Sequence, residues 1–289
     1  MRQILSFIVL FCTACSTAMA EPLFWQAKKG QLEFIIFGSV HAGDKSMYPL
    51  PEPINDALKR SDGLILEADL KQSGGLKYPS TTITTADVLD DSQEAQFKQI
   101  AKSLNLPPQQ LLLSPPWASA LTVQMKQFEQ LGYLPQFGVD AHIAALAEKL
   151  DKPLITLESL QFQIDLIAQG KEGGKDLLLS SIEEFDETGK ATRCLIDSWK
   201  AGDKKNLEHI AELAAMSPEL TAAFLTDRNH DWADKLSSSN WKLKQEATYL
   251  VVVGAMHLIG EQSLIDLLKT RGFDIVQLSK SEQAQCSVE

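Results

Sequence analysis

Glu33-Phe34-Ile35-Ile36-Phe37-Gly38-Ser39-Val40-His41, near one end of the chain, and Thr248-Tyr249-Leu250-Val251-Val252-Val253-Gly254-Ala255-Met256-His257, near the other, follow one design. Each is an apolar β run, then Gly-x-x-His, then a helical pattern. Glycine suits the point where a strand leaves its sheet, because it tolerates positive φ and close backbone approach. Ligands of open α/β sheets collect outside the carboxyl ends of the strands. Two histidines delivered there from opposite ends of the chain predict one composite site that closes only when the whole domain folds.

Between these runs, strands alternate with helices, which points to an α/β fold. Residues 23–27 and 32–37 read as a hairpin around Lys29-Gly30, 53–61 as a helix and 63–69 as a strand. The Gly, Ser, Thr and Pro content of 71–82 marks a loop. One helix is expected over 85–105, capped by Thr85, with Asp87 in its first turn. Pro107-Pro108 and Pro115-Pro116 each open a further helix. In the second of these, Trp117, Leu121, Met125 and Phe128 recur at helical spacing as an apolar stripe. A helix over 140–150 with Asp140 as its N-cap precedes a strand at 152–158. Residues 159–236 are helical almost throughout, with breaks at 170–174, 202–203 and 217–218, and read as an insertion or lid ending near 240. Strand, helix and strand follow at 244–253, 260–271 and 273–278. The expected fold is therefore α/β: a central mixed sheet of N- and C-terminal strands, flanked by helices.

Residues 1–20 have the form of a secretory signal: Arg2, an apolar stretch, then Ala18-Met19-Ala20 before Glu21-Pro22. The reading is a periplasmic protein whose single domain spans 21–289, with acylation at Cys15 as a minor alternative. No other segment is long and apolar enough to span a bilayer. A formal net charge of −11 with dispersed Lys and Arg argues against a nucleic-acid partner. Of the four cysteines, Cys194 and Cys286 lie outside the signal, and an even pair in an oxidising compartment predicts one disulfide.

Three strands end in His41, Glu67 and His257, and a fourth in Glu158. Two imidazoles and a carboxylate suffice to ligate a catalytic divalent metal with an open position for water. Without metal, a His paired to a carboxylate is a general base. Asp69 competes with Glu67 for this role, and Glu158 could instead cap the next helix. Within Thr226-Asp227-Arg228-Asn229-His230-Asp231-Trp232, Arg228 offers a fork for carboxylates or oxyanions and Asn229 a donor to a developing oxyanion. Both therefore stand as catalytic and substrate-binding candidates with Glu67 and Glu158, against the plainer reading of a solvated helix face. His209 and His230 read as surface residues, and Asp140 and His142 as supporting at most. No nucleophile elbow, zincin motif, Walker loop or dinucleotide fingerprint is present.

The ordered set Gly38-x-x-His41, Glu67, Gly138-Val139-Asp140, Leu157-Glu158-Ser159, Arg228-Asn229 and Gly254-x-x-His257 resembles the TraB/GumN family, which includes the Tiki proteins, over about residues 34–278. The resemblance implies a fold similar to erythromycin esterase and the haem-binding protein ChaN. It implies a metal-dependent peptidase favouring Mn or Co over Zn, with His41, Glu67 and His257 at the metal and Arg228 and Asn229 at a peptide or small-molecule substrate. It also admits two alternatives: a metal-independent esterase, and a periplasmic protein that binds haem or another small ligand, with Tyr48 the tyrosine nearest the first histidine.

Overall fold

Strand β2 (Leu32–Ser39) is buried almost end to end, and successive residues pack on opposite faces: Phe34 and Ile36 on one side, Ile35 and Phe37 on the other. A strand apolar on both faces requires helices on both faces of its sheet. The computed structural model describes residues 21–288, save 73, 80, 81, 169 and 214–216. The expected export signal, residues 1–20, lies outside the described residues.

In chain order the helices are α1 (Glu52–Arg60), α2 (Thr85–Val88), α3 (Asp91–Ser103), α4 (Pro108–Leu112), α5 (Pro116–Gln130), α6 (Val139–Lys149), α7 (Leu160–Ala168), α8 (Lys175–Glu183), α9 (Phe185–Ala201), α10 (Lys204–Leu213), α11 (Pro218–Thr221), α12 (Asp227–Ser237) and α13 (Leu264–Thr270). With β2, strands β1 (Phe24–Lys29), β3 (Gly63–Leu66), β4 (Leu154–Thr156), β5 (Ala247–Gly254) and β6 (Asp274–Gln277) form one six-stranded sheet in the order β4-β3-β5-β2-β1-β6. β5 runs parallel to both β2 and β3, and β3 parallel to β4. β1 is antiparallel to its neighbours. The mixed α/β architecture from both ends of the chain is as expected. Among the described residues no helix is long and apolar enough to cross a membrane.

The register places the site. Ser39 pairs with Gly254 and Leu66 with both Val252 and Thr156, so four adjacent strands stop at nearly the same level. β5 lies between β2 and β3, which lie close in sequence, so the connection through α1 steps over it and opens a crevice at its carboxyl end. One face of the sheet is closed by Trp232 and Leu236 of α12 and by Leu264 and Leu268 of α13. The other is closed by Ile54 and Leu58 of α1, Ile143 of α6 and Trp199 of α9. A third apolar cluster, including Phe97, Leu111, Val123 and Leu178, knits α3, α4, α5 and α8 together beside the sheet.

Local chemistry departs from the sequence expectation in three places. The helix expected over 85–105 is two helices, α2 and α3, because Thr84 and Asp90 each build a capping box and break the run. Asp140 does not cap α6; Gly138 stands at the cap, and Asp140 lies buried in the first turn. On α5 the core face is Ala120, Val123 and Gln127, whereas Leu121 and Met125 of the expected stripe are 37 % and 39 % exposed.

The tail folds back over β1 and α9. Leu278 N–H donates to the Phe24 carbonyl, Glu282 N–H to that of Ala201, and Cys286 is bonded to Cys194 of α9. The disulfide pairing is thus the one expected. It closes a loop across a sequence separation of 92. Replacing both cysteines by serine is expected to cost about 2–4 kcal/mol of stability, read as a lower urea midpoint with a steeper transition slope, because the unfolded chain without the crosslink exposes more surface.

Candidate active site

Arg228 comes from the first turn of α12, directly after a π-helical turn at Ala222–Thr226. π turns widen a helix locally and recur at functional sites. Here the turn leaves the Phe224 carbonyl to accept from Arg228 Nη1 at 3.0 Å. The guanidinium then reaches two carboxylates. Nη2 donates to Glu67 Oε2 at 2.7 Å and to Glu158 Oε1 at 2.6 Å, and Nε to Glu158 Oε2 at 3.1 Å. Nη1 also points to His257 Nε2 at 3.2 Å. The five N–H donors of an arginine are thereby all engaged by protein. The guanidinium carbon lies 4.7 Å from the Trp232 ring centroid, one turn further along α12, and Trp232 Nε1 donates to Glu158.

Glu67 and Glu158 emerge side by side from β3 and β4, with the Glu158 N–H donating to the Glu67 carbonyl. Glu67 is 5 % exposed; its Oε1 accepts the Gly254 N–H at 2.6 Å, and Gln163 bridges the two carboxylates. Burial would raise its pKa, but the charges of His257, His41 and Arg228 and the Gly254 N–H outweigh burial and bring it down to about 2. Glu158 is therefore an ion-pair partner of Arg228 rather than only a helix cap. Asp69 turns instead to the Lys71 N–H, outside this network.

His257 is 5 % exposed and packs on Trp232 with the rings tilted, their centroids 4.4 Å apart. Asn229 Nδ2 donates to the Gln262 carbonyl, which turns Oδ1 toward His257 Nδ1 at 2.7 Å. Nδ1 therefore carries the proton, and Nε2 accepts from Arg228. Burial first, then the nearby Arg228 and His41 charges, hold this ring down to about 4 despite Glu67, so it is neutral near pH 7.

His41 is in the opposite condition. Its Nδ1 meets Asp140 Oδ2 at 2.9 Å, while Ser39 Oγ donates to the other carboxylate oxygen at 2.6 Å. The charge of Asp140 raises the His41 pKa to about 9 against an opposing burial effect. The His41 side chain is 66 % accessible, so water damps this coupling.

Gly254 sits among all three groups. A Cβ there would stand 3.3 Å from Glu67 Oε1, 3.5 Å from His257 Cδ2 and 3.9 Å from His41 Nε2. Neither Gly38 nor Gly254 has positive φ; close approach, not a left-handed turn, is what this Gly-x-x-His glycine serves. Gly138 is tighter still, since a Cβ there would come within 2.4 Å of the His41 carbonyl oxygen. That contact sets the entry to α6 and so aims Asp140 at His41.

His41, Gly254, Gln163 and His257 front a cavity of about 530 Å³ whose wall also includes Asp140, Leu70, Met125, Phe128 and Trp199. Arg228, Asn229, Glu67 and Glu158 stand behind this wall rather than in it. In this arrangement every Arg228 donor ends on a protein acceptor, Asn229 Nδ2 donates to the Gln262 carbonyl, and both residues contact His257. His209 and His230 bond Val288 and Gln262 at the surface, as expected. Tyr48 donates to the Phe137 carbonyl and packs on His142 at 4.3 Å, away from the cavity wall, so it is not placed as an axial ligand. Asp140 and Gln163 are the site residues to which the sequence reading gave too little weight. Gly138-Val139-Asp140 held the signal for the first; nothing local marks the second.

As arranged, the donors do not fit a divalent ion. His257 Nε2 faces a guanidinium, and Glu67 Oε1 holds a backbone N–H. Among the described residues no three His, Cys, Asp or Glu side chains gather as a metal-ligand group.

The profile of the TraB/PrgY/gumN family matches residues 23–277. The chain is 28 % identical over 244 residues to "Uncharacterized protein YbaP" of Escherichia coli (strain K12), covering 83 % of this chain and 89 % of that one. It is 27 % identical over 238 residues to the Shigella flexneri protein of the same name, covering 81 % and 87 %. No solved structure matches.

Arg228→Ala strands two buried carboxylates and is expected to cost about 3–5 kcal/mol, measured by chemical denaturation. The His257 ring is neutral in the fold down to about pH 4, whereas an unfolded chain takes up that proton near 6.5. Its contribution is therefore whole above pH 6.5 and drains as pH falls toward 4. The thermal midpoint should drop over that interval, with a shallower drop in His257→Gln.

Proposed function

Because the chain belongs to the TraB/PrgY/gumN family and carries two differently tuned histidines at one crevice, we propose that it is an exported hydrolase acting on a peptide or ester carbonyl. The observation that carries this reading is the contrast between His41 and His257 across Gly254. One ring is tied to a carboxylate and the other to an amide and a guanidinium. Paired titratable groups whose surroundings drive them apart divide the acid and base roles between them. His41, held as a cation by Asp140 and open to the cavity, donates toward the carbonyl oxygen or leaving group. His257, neutral and fixed in one tautomer, offers Nε2 to a water once Arg228 Nη1 yields it. Glu67 stays ionised and holds the Gly254 turn and the guanidinium in place.

A metal-dependent peptidase is the second reading. It is favoured by the convergence of His41 Nε2, Glu67 Oε1 and His257 about Gly254. It requires Arg228 to withdraw from His257 before an ion such as Mn or Co could be held. Ligand capture without turnover remains the non-enzymatic rival, without Tyr48 as a haem ligand.

Screening peptide and ester substrates with the purified protein tests the proposal. His41→Ala should lower kcat/KM by a factor on the order of 10²–10⁴ while the protein stays folded. The profile of kcat/KM against pH should rise as His257 loses its proton near 4 and fall as His41 loses its own toward 9. Turnover that survives chelation would support the first reading. Stoichiometric Mn or Co in the wild type, lost from His41→Ala/His257→Ala, would replace it with the second. Full activity in His41→Ala would overturn both.

A further inference from the structure

The cavity has one polar end and an otherwise apolar wall. Beyond the histidines it is formed by side chains such as Leu70, Met125, Phe128, Leu195 and Met256. Its remaining hydrogen-bonding groups are mostly already spent. Trp199 Nε1 donates to the Gly38 carbonyl at 2.8 Å, Gln163 serves Glu67 and Glu158, and Asp140 serves Ser39 and His41. Apart from the Thr192 and Tyr133 hydroxyls, an incoming group meets hydrocarbon until it reaches His41 and His257. A peptide backbone laid along such a wall would leave an N–H and a C=O unpaired at every residue. A hydrocarbon chain has none to satisfy. The volume of about 530 Å³ falls in the range that encloses a small-molecule ligand.

Two further observations point the same way. Met125 is 39 % exposed and Leu70 50 % exposed, and both lie on this wall, so large apolar side chains face open space where an occupant would cover them. On α5 Met125 stands apart from the core face of Ala120, Val123 and Gln127, while Phe128 packs on the core with one side and lines the cavity with the other.

We propose that the substrate is an ester whose acyl group is a medium-length or long hydrocarbon chain, seated on Leu70, Met125, Phe128 and Leu195 with its carbonyl at His41. This rests on the hydrolase reading for the reaction, but not for the pocket. Hydrolysis adds water across the acyl C–O bond: the carbonyl carbon gains the water oxygen, the alcohol leaves with a proton, and a fatty acid remains.

The test is a series of p-nitrophenyl esters from acetate to dodecanoate, with calorimetric binding of decanoate alongside. The expected result is a kcat/KM that climbs at least about tenfold from acetate to octanoate, since each buried methylene contributes a factor of up to roughly four. Met125→Glu, a rim substitution on an exposed helix face, should flatten that climb. A flat series in the wild type, with turnover abolished by His41→Ala, would overturn the acyl pocket and leave the hydrolase reading standing. If neither ester nor peptide is cleaved but decanoate binds the wild type and fails to bind Met125→Glu, the pocket stands and the hydrolase reading falls. Failure of decanoate to bind the wild type, with no ester cleaved, would overturn the pocket.

Discussion

One guanidinium holds the centre of this molecule together. Arg228 faces two carboxylates from neighbouring strands and a histidine from a third, and it does so from a helix packed on the sheet face. Bringing Glu67 and Glu158 together in a nearly dry setting is unfavourable unless a cation lies between them. Planar, forked geometry lets a single side chain answer both, which a lysine could not do. Everything functional hangs on this arrangement. It adds to the His257 and His41 charges that keep Glu67 ionised and to the burial that keeps His257 neutral, and it holds the Glu67 carboxylate whose other oxygen accepts the Gly254 N–H. One guanidinium for two carboxylates leaves negative charge over, and the His41 cation across Gly254 acts on Glu67 to offset it.

The site therefore has two layers. A buried layer of Glu67, Glu158, Arg228, Asn229 and Trp232 fixes orientation and protonation; at the cavity wall stand the accessible His41, the half-buried Gln163 and the edge of the buried His257. Within the buried layer the donors of Arg228 and of the Trp232 indole all end on protein acceptors. Asp140 does for His41 what Asn229 does for His257, with one difference in charge. A carboxylate keeps its imidazole protonated, whereas an amide leaves its imidazole neutral.

Much of this was legible in the sequence, because strand ends are marked by local chemistry. The paired Gly-x-x-His turns, Glu67 and Glu158 each follow an apolar run, and period alone places them at one end of a sheet. Arg228 and Trp232, four residues apart, share a helix face and could have been read as one unit. What local pattern could not give was direction. The side chain of Met125 fits an apolar stripe equally well whether that stripe faces core or cavity. Asp140 fits an N-cap as well as it fits a partner for His41, until Gly138 is seen to abut the His41 carbonyl. The single helix expected over 85–105 is divided ahead of the thirteen-residue α3, because the capping side chain of Asp90 competes locally for backbone donors that a long helix would use.

The place of β5 has a consequence for timing. This strand supplies His257 and is the bridge between β2 and β3, which cannot pair with each other across the gap it fills. Yet it lies near the far end of the chain, some two hundred residues after β2 in order of synthesis. Pairings of such sequence separation form late, because a long loop must close before they reward it. A chain emerging N-terminus first therefore holds His41 and Glu67 for a long interval without the element that joins them. The cluster of His41, Glu67 and His257 is thus completed only in the last stages of folding.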